Sequence, residues 1–218
     1  MTLSIDVYWS FRSPYSYLAT PRLAALAAKH DLDVRVRPVY PIAIRTPDFF
    51  ATVNPLWPPY LVRDCVRLAE WLGLGFGWPR PDPVVQSRRD GRLVTAAEQP
   101  HIFRLTRLGV LASERGRGLA FIDEVSRIIW DGTVDGWNEG EHLANATARA
   151  GLDLAELDRV VAAEGDRLEA AIQENQRDHE NAGHWGVPTF VFAGEPFFGQ
   201  DRLDLLEWRL RQHGLTER

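Results

Sequence analysis

Strand-forming sequence lies near the two ends of this 218-residue chain and not in its middle, and that distribution restricts the available folds more than any other feature. Near the start, Leu3, Ile5, Val7 and Trp9 alternate with Ser4, Asp6 and Tyr8, which is the two-residue period of a β-strand. After Arg12-Ser13-Pro14, the apolar and small residues Tyr15, Leu18, Ala19, Leu23, Leu26 and Ala27 form a helical stripe, so a helix follows directly. Pro21 lies inside that stripe and predicts a bend rather than a break. Val34, Val36 and Val39 then complete a strand-helix-strand unit. Strand chemistry returns at Thr189-Phe190-Val191-Phe192, turns through Ala193-Gly194-Glu195-Pro196, resumes at Phe197-Phe198, and gives way to a helix over about Asp201 to Gln212.

Between Pro41 and about Asn175 the patterns are helical, with helices predicted over Tyr60–Leu72, Pro100–Arg115, Ala120–Ile129, Glu139–Ala150 and Leu154–Asn175. Gly73, Gly75, Gly77, Pro79, Pro81 and Pro83 interrupt the first two and predict a loop suited to serve as a lid. The division expected is therefore an α/β domain from residues 1–40 and 178–218 with an all-helical insertion at 41–177. An apolar share of 45% at a net charge of −5 is that of a globular chain. Without a Lys/Arg cluster there is no electrostatic footprint for nucleic acid. No apolar run approaches membrane-spanning length, MTLSIDVYW has no leader-like character, and Cys65 is the only cysteine; together these predict a cytoplasmic protein with no membrane partner and no dithiol centre. Cys65 follows Asp64 in a helix and is expected to be buried and inert. His179 and His184 are five apart, not the four that align two histidines on one helical face, and no cysteine pair accompanies them, so no metal site is expected.

Two segments carry the chemistry. Ser13-Pro14-Tyr15-Ser16 sits at a strand-to-helix junction, where free amides favour an anion; standing alone, Ser13 reads first as a helix N-cap. Gly186-Val187-Pro188-Thr189-Phe190 places a proline at the opening of a strand, where it cannot donate to the sheet. A βαβ unit with a proline one residue into its first helix, followed much later by G-V-P-T-F, a hairpin and a last helix, is the layout of a thioredoxin fold with a DsbA-like helical insertion. The cysteines of a C-P-x-C redox pair are replaced here by Ser13 and Ser16, so dithiol exchange is ruled out.

Ser13-Pro14-Tyr15-Ser16-Tyr17-Leu18-Ala19, Tyr60-x-x-x-Asp64, Gly186-Val187-Pro188-Thr189-Phe190 and Phe198-Gly199-Gln200-Asp201-Arg202-Leu203 resemble segments of the 2-hydroxychromene-2-carboxylate isomerases and the related kappa-class glutathione transferases. Ser87-Arg88-Arg89 is similar to a further family segment and favours the isomerase branch. The resemblance implies a glutathione site. Ser13 would face the cofactor sulfur as the catalytic residue, Val187 before a cis-Pro188 would pair its backbone with the cysteinyl unit, Gln200 and Asp201 would hold the γ-glutamyl end, and Asn54 would contact cofactor or substrate. Asp201 reads otherwise as an N-cap, with Asp204 in the first turn. A family lysine near Val62 and Arg63 has no counterpart, which leaves the partner of a ligand carboxylate unassigned. Among eight tryptophans, Trp57, Trp78 and Trp185 lie in loops where they could wall an aromatic pocket. The activity implied is a glutathione-dependent isomerisation of an aromatic-derived oxo acid by a homodimer. A kappa-type transferase and a non-catalytic module binding thiol peptides stay open as alternatives.

Overall fold

The computed structural model of the protein describes residues 2–89 and 92–218; the side chains of residues 88, 89 and 92 lie outside that description, so Ser87-Arg88-Arg89 is placed by backbone alone. The elements run β1 (Leu3–Trp9), α1 (Pro14–Lys29), β2 (Leu32–Pro38), α2 (Ile42–Arg45), α3 (Phe49–Thr52), α4 (Trp57–Leu72), β3 (Gln86–Arg89), β4 (Arg92–Thr95), α5 (Pro100–Glu114), α6 (Gly118–Trp130), α7 (His142–Arg149), α8 (Leu154–Ala163), α9 (Gly165–Asn181), β5 (Thr189–Phe192), β6 (Glu195–Phe198), a 3-10 turn (Gln200–Arg202) and α10 (Leu203–Gln212). The main sheet has the order β2-β1-β5-β6. β1 pairs with β2 in parallel, Val7 opposite Val36, and with β5 in antiparallel fashion, Tyr8 opposite Thr189.

The buried alternation read from β1 holds, with Ile5, Val7 and Trp9 essentially inaccessible to solvent. Trp9 places its indole N–H against α1, donating to Ser16 O at 3.2 Å and Thr20 Oγ1 at 3.0 Å. Thr20 Oγ1 also donates to Ser16 O, and α1 runs unbroken through Pro21. The opposite face of β1 is covered too: Tyr8 stacks on His179 of α9, ring centroids 4.5 Å apart and planes 8° from parallel. α5 and α6 pack over β2, and Trp130 at the end of α6 donates its indole N–H to Phe11 O at 2.9 Å, locking the inserted elements to the chain just beyond β1.

Three expectations about the insertion need correction. It is not all-helical, because β3 and β4 form a separate two-stranded hairpin. The helix expected over Leu154–Asn175 is two helices meeting at Glu164-Gly165, and α9 continues past residue 177 to Asn181. The glycine- and proline-rich segment is fastened down instead of free to close: Tyr17 Oη donates to Gly75 O at 2.6 Å, Gly77 N to Trp130 O at 2.7 Å, and Trp137 Nε1 to Pro81 O at 2.8 Å. A side chain at Gly77 would come within 2.6 Å of the Gly132 backbone, so close approach, rather than flexibility, explains that glycine. No helix among the described residues is long and apolar enough to cross a membrane.

Burial holds His179 far below the ordinary imidazole range, at about 3, with the positive charge of Arg45 and the nearby His184 acting in the same direction. Its folded-state pKa lies below its unfolded one of about 6.5, so the unfolded chain takes up the proton first. The stability that a neutral His179 provides is complete above pH 6.5 or so and is lost as pH falls toward 3, at up to about 1.4 kcal/mol per pH unit. His179→Phe keeps the stack on Tyr8 and removes the titration. Denaturant unfolding from pH 6.5 down to 4.5 should therefore show a shallower loss of stability in the variant; parallel curves would mean that His179 does not titrate in this way.

Candidate active site

The antiparallel pairing of β1 with β5 sets the end of one beside the start of the other, so the segment after β1 meets the segment before β5. Those segments are Ser13-Pro14-Tyr15-Ser16 and Gly186-Val187-Pro188. Ser13 is the N-cap of α1: its Oγ accepts from Ser16 N–H at 3.2 Å, with Pro14 at the first helical position. The same Oγ donates to Val187 O at 3.3 Å, across 174 residues of sequence. The Val187–Pro188 peptide is cis. The cap reading and the site reading of Ser13 thus describe one atom. Ser16, by contrast, is fully buried and its Oγ has no partner among the described residues.

The loop opposite Ser13 is held on both sides. Gly186 N–H donates to His184 Nδ1 at 2.8 Å, Thr189 Oγ1 donates to Gly186 O at 2.6 Å, and Gly199 N–H donates to Pro188 O at 2.9 Å. Val187 N–H has no acceptor among the described residues, leaving one backbone donor beside Ser13 uncommitted. Gly199 leads into the 3-10 turn, which brings Gln200 and Asp201 to the same end of the sheet. Gln200 is buried, with an unpartnered Oε1, and its carbonyl accepts from Arg22 Nη1 of α1 at 3.2 Å. Arg22 also pairs with Asp204. Asp201 is exposed, accepts from Arg202 at 2.9 Å, and caps no helix with its side chain. Ser13, Val187, Pro188 and Gln200 are therefore joined by hydrogen bonds or chain continuity. Asn54 is not part of this network: its Oδ1 accepts from Leu56 N at 3.0 Å in the turn before α4.

Sequence reasoning missed what Asp64 does. It accepts from Tyr15 Oη at 2.9 Å and Tyr60 Oη at 3.2 Å, and pairs with Arg67, tying the second residue of α1 to α4. Burial, followed by this hydrogen bond, pushes the Tyr15 phenol well above its usual range, so it stays a donor to the carboxylate. Tyr60-x-x-x-Asp64 thus acquires a positioning role that a contact between residues 49 apart could not announce locally. Arg12, next to Ser13, is clamped by Asp82 through both Nε at 3.1 Å and Nη2 at 2.8 Å. Cys65 is buried, and burial reinforced by Asp64 raises its thiol to about 12, so it is inert.

A run of rings borders the loop. His184 stacks on Phe198 at 3.9 Å and on Trp185 at 5.7 Å; Trp185 lies 5.6 Å from Phe49, which meets Trp57 edge-on at 5.7 Å. Trp57 and Trp185 are partly exposed in this run; Trp78, also partly exposed, packs in a separate group on Phe76 and Trp130. Two concavities of about 470 and 760 Å3 lie on other faces, and neither is lined by Ser13, Val187 or Gln200.

Against known proteins, residues 4–211 match the model of the DSBA-like thioredoxin domain. The chain is 27% identical over 211 residues to a 2-hydroxychromene-2-carboxylate isomerase of Sphingobium xenophagum, covering 95% of this chain and 97% of that one. Among solved structures it is similar to a 2-hydroxychromene-2-carboxylate isomerase, with TM-score 0.70, 21% identity and coverage of 96% and 95%. It is also similar to the cytosolic disulfide reductase DsbM of Pseudomonas aeruginosa, with TM-score 0.61, 20% identity and coverage of 96% and 100%; DsbM has also been solved with GSH, at TM-score 0.57. These structural likenesses confirm the thioredoxin-type α/β architecture read from the two ends of the sequence, and the match across nearly its whole length shows that the chain belongs to the DSBA-like thioredoxin domain family.

Proposed function

We propose that the protein is a glutathione-dependent isomerase of the 2-hydroxychromene-2-carboxylate type, acting in the cytoplasm on an aromatic-derived oxo acid. The observation that carries the reading is Ser13 Oγ, held between Ser16 N–H and Val187 O at a site that in this fold hosts thiol chemistry. Two features support a bound thiol peptide: the uncommitted Val187 N–H beside Ser13, and the buried, unpartnered Gln200 Oε1 next to exposed Asp201. Val187 and Pro188 would align the cysteinyl backbone. Gln200 would donate from its amide, Asp201 would accept from the α-ammonium, and Asn54 has its side-chain amide free to reach the cofactor or substrate from the α4 turn.

Bound there, glutathione supplies a nucleophilic sulfur whose reversible addition to a conjugated carbon permits rotation about the former double bond. The protein's part is electrostatic. Ser13 turns its hydroxyl from Val187 O to the sulfur, while the free amide end of α1 adds positive potential, and both favour the thiolate over the thiol. Hydrogen-bonded to Asp64, Tyr15 fixes the start of α1 against α4. The Trp185, Phe49 and Trp57 rings offer an aromatic substrate a face to stack on.

Ser13→Ala separates this reading from a plain cap. Loss of the cap alone costs about 1 kcal/mol of stability. Loss of a hydrogen bond to a charged sulfur, about 1.5 to 3 kcal/mol, lowers glutathione-dependent conversion of 2-hydroxychromene-2-carboxylate roughly 10- to 150-fold. Ser16→Ala removes a buried hydroxyl with no partner and should leave both stability and turnover near the parent. Equal, small losses of turnover in the two variants would make Ser13 a cap only, and accumulation of a glutathione conjugate would point to the transferase.

We also propose a homodimer. α4 exposes Leu56 beside its start and Val62, Val66 and Trp71 along its length, with Leu56 at 76% and Trp71 at 72% of full exposure, apolar side chains that a second copy would cover. Sedimentation should give a species of twice 24.7 kDa at micromolar concentration. A 24.7 kDa species would end this claim.

A further inference from the structure

Arg45 is a guanidinium placed beside the candidate site with no ion-pair partner among the described residues. It closes α2, and its Nε donates to Tyr40 O at 2.7 Å while Nη2 donates to Trp185 O at 2.8 Å. Two backbone carbonyls therefore fix the plane of the side chain, one of them two residues before Val187. No carboxylate lies within ion-pairing distance of it among the described residues; Glu180 acts on it only through longer-range attraction, and His179, which feels its charge, adds no negative charge. Two carbonyls use two of the five N–H donors of the fork. Nη1 has no partner among the described residues, so its two donors are uncommitted.

A charged group in such a place usually finds a carboxylate, because desolvating a guanidinium without a counter-charge is unfavourable. Burial already pushes Arg45 below its ordinary range. Both carbonyls it holds belong to aromatic residues, Tyr40 and Trp185. Phe49, four residues on, lies between Trp185 and Trp57 at 5.6 and 5.7 Å, so the segment that carries the guanidinium also carries the central ring of the exposed aromatic run. A flat ring on Phe49, Trp57 and Trp185 would bring an attached acid to the open edge of the fork, where Arg binds both oxygens at once.

We infer that Arg45 is the carboxylate anchor of an aromatic-acid subsite bordering the Ser13–Val187 junction. This deepens the proposed function and rests on its reading of the substrate as an aromatic-derived acid. The carboxylate bound is that of the aromatic ligand, not the glycyl carboxylate of glutathione.

The test is binding without turnover. trans-Cinnamate and its uncharged amide, trans-cinnamamide, are titrated against the parent protein by quenching of tryptophan fluorescence, which Trp57 and Trp185 make responsive. The parent should bind the acid about tenfold or more tightly than the amide, as expected for loss of a charged hydrogen-bonded pair. Arg45→Gln should bring the two within about twofold, Arg45→Lys should fall between, and the glutathione Kd should stay unchanged in both variants. The comparison of acid with amide on the parent protein stands even where a variant folds poorly. Equal binding of acid and amide by the parent, binding of neither, or a variant that weakens glutathione in place of cinnamate, each overturns the anchor. A parent that selects the acid through Arg45 yet shows no glutathione-dependent isomerisation sustains the anchor and removes the reaction proposed for its neighbour.

Discussion

The structure depends on the two-sided pairing of β1. Its parallel ladder with β2 demands a crossover helix, and α1 supplies it. Its antiparallel ladder with β5 demands that the start of β5 lie against the end of β1. Ser13 and Val187 meet as a consequence of these two registers, Val7 against Val36 and Tyr8 against Thr189, before any side chain at the site contributes. The elements from α4 to α9 then brace this junction from outside: Asp64 through Tyr15, Asp82 through Arg12, and Trp130 through Phe11 O. Two residues before the cap, Phe11 and Arg12, and one within the first turn, Tyr15, are thus held by later parts of the chain, which fixes the segment that carries Ser13.

Serine at position 13 changes what this frame can do. A thiol there would react; a hydroxyl can only orient and stabilise. Its geometry, accepting from the helix and donating across to Val187 O, leaves the hydrogen as the movable part. A sulfur arriving beside it competes only with one long hydrogen bond of 3.3 Å, so redirecting the hydroxyl costs little while the cap survives. The only cysteine, raised to about 12 by burial and Asp64, does not compete for the role.

Periodicity made the βαβ unit, the tail hairpin and the longer helices legible, because each buries one stripe or one face. It was silent where periods are too short to register, as in the four-residue helices α2 and α3. The β3–β4 hairpin was missed because Gln86, Ser87 and Arg88 carry no apolar alternation, although the Asp90-Gly91 dipeptide between the strands is itself a hairpin signal. Near the candidate site, Ser13 and Pro188 stood out in their own segments, and the family resemblance added Val187 and Gln200; strand pairing brings the Ser13 and Val187 segments together. Asp64 and Arg45 could not be given roles: one acts through a tyrosine 49 residues away, the other through a carbonyl 140 residues away, and neither leaves a local pattern.

The central claim is that Ser13 and the start of α1 stabilise an anionic sulfur. Ultraviolet titration of the thiolate absorbance of protein-bound glutathione measures that directly. A bound thiol with an apparent pKa at least about one unit below the roughly 8.5 of a free thiol, returning toward 8.5 in Ser13→Ala, is the result the account requires. A bound thiol that titrates at 8.5 or above in the parent protein contradicts it.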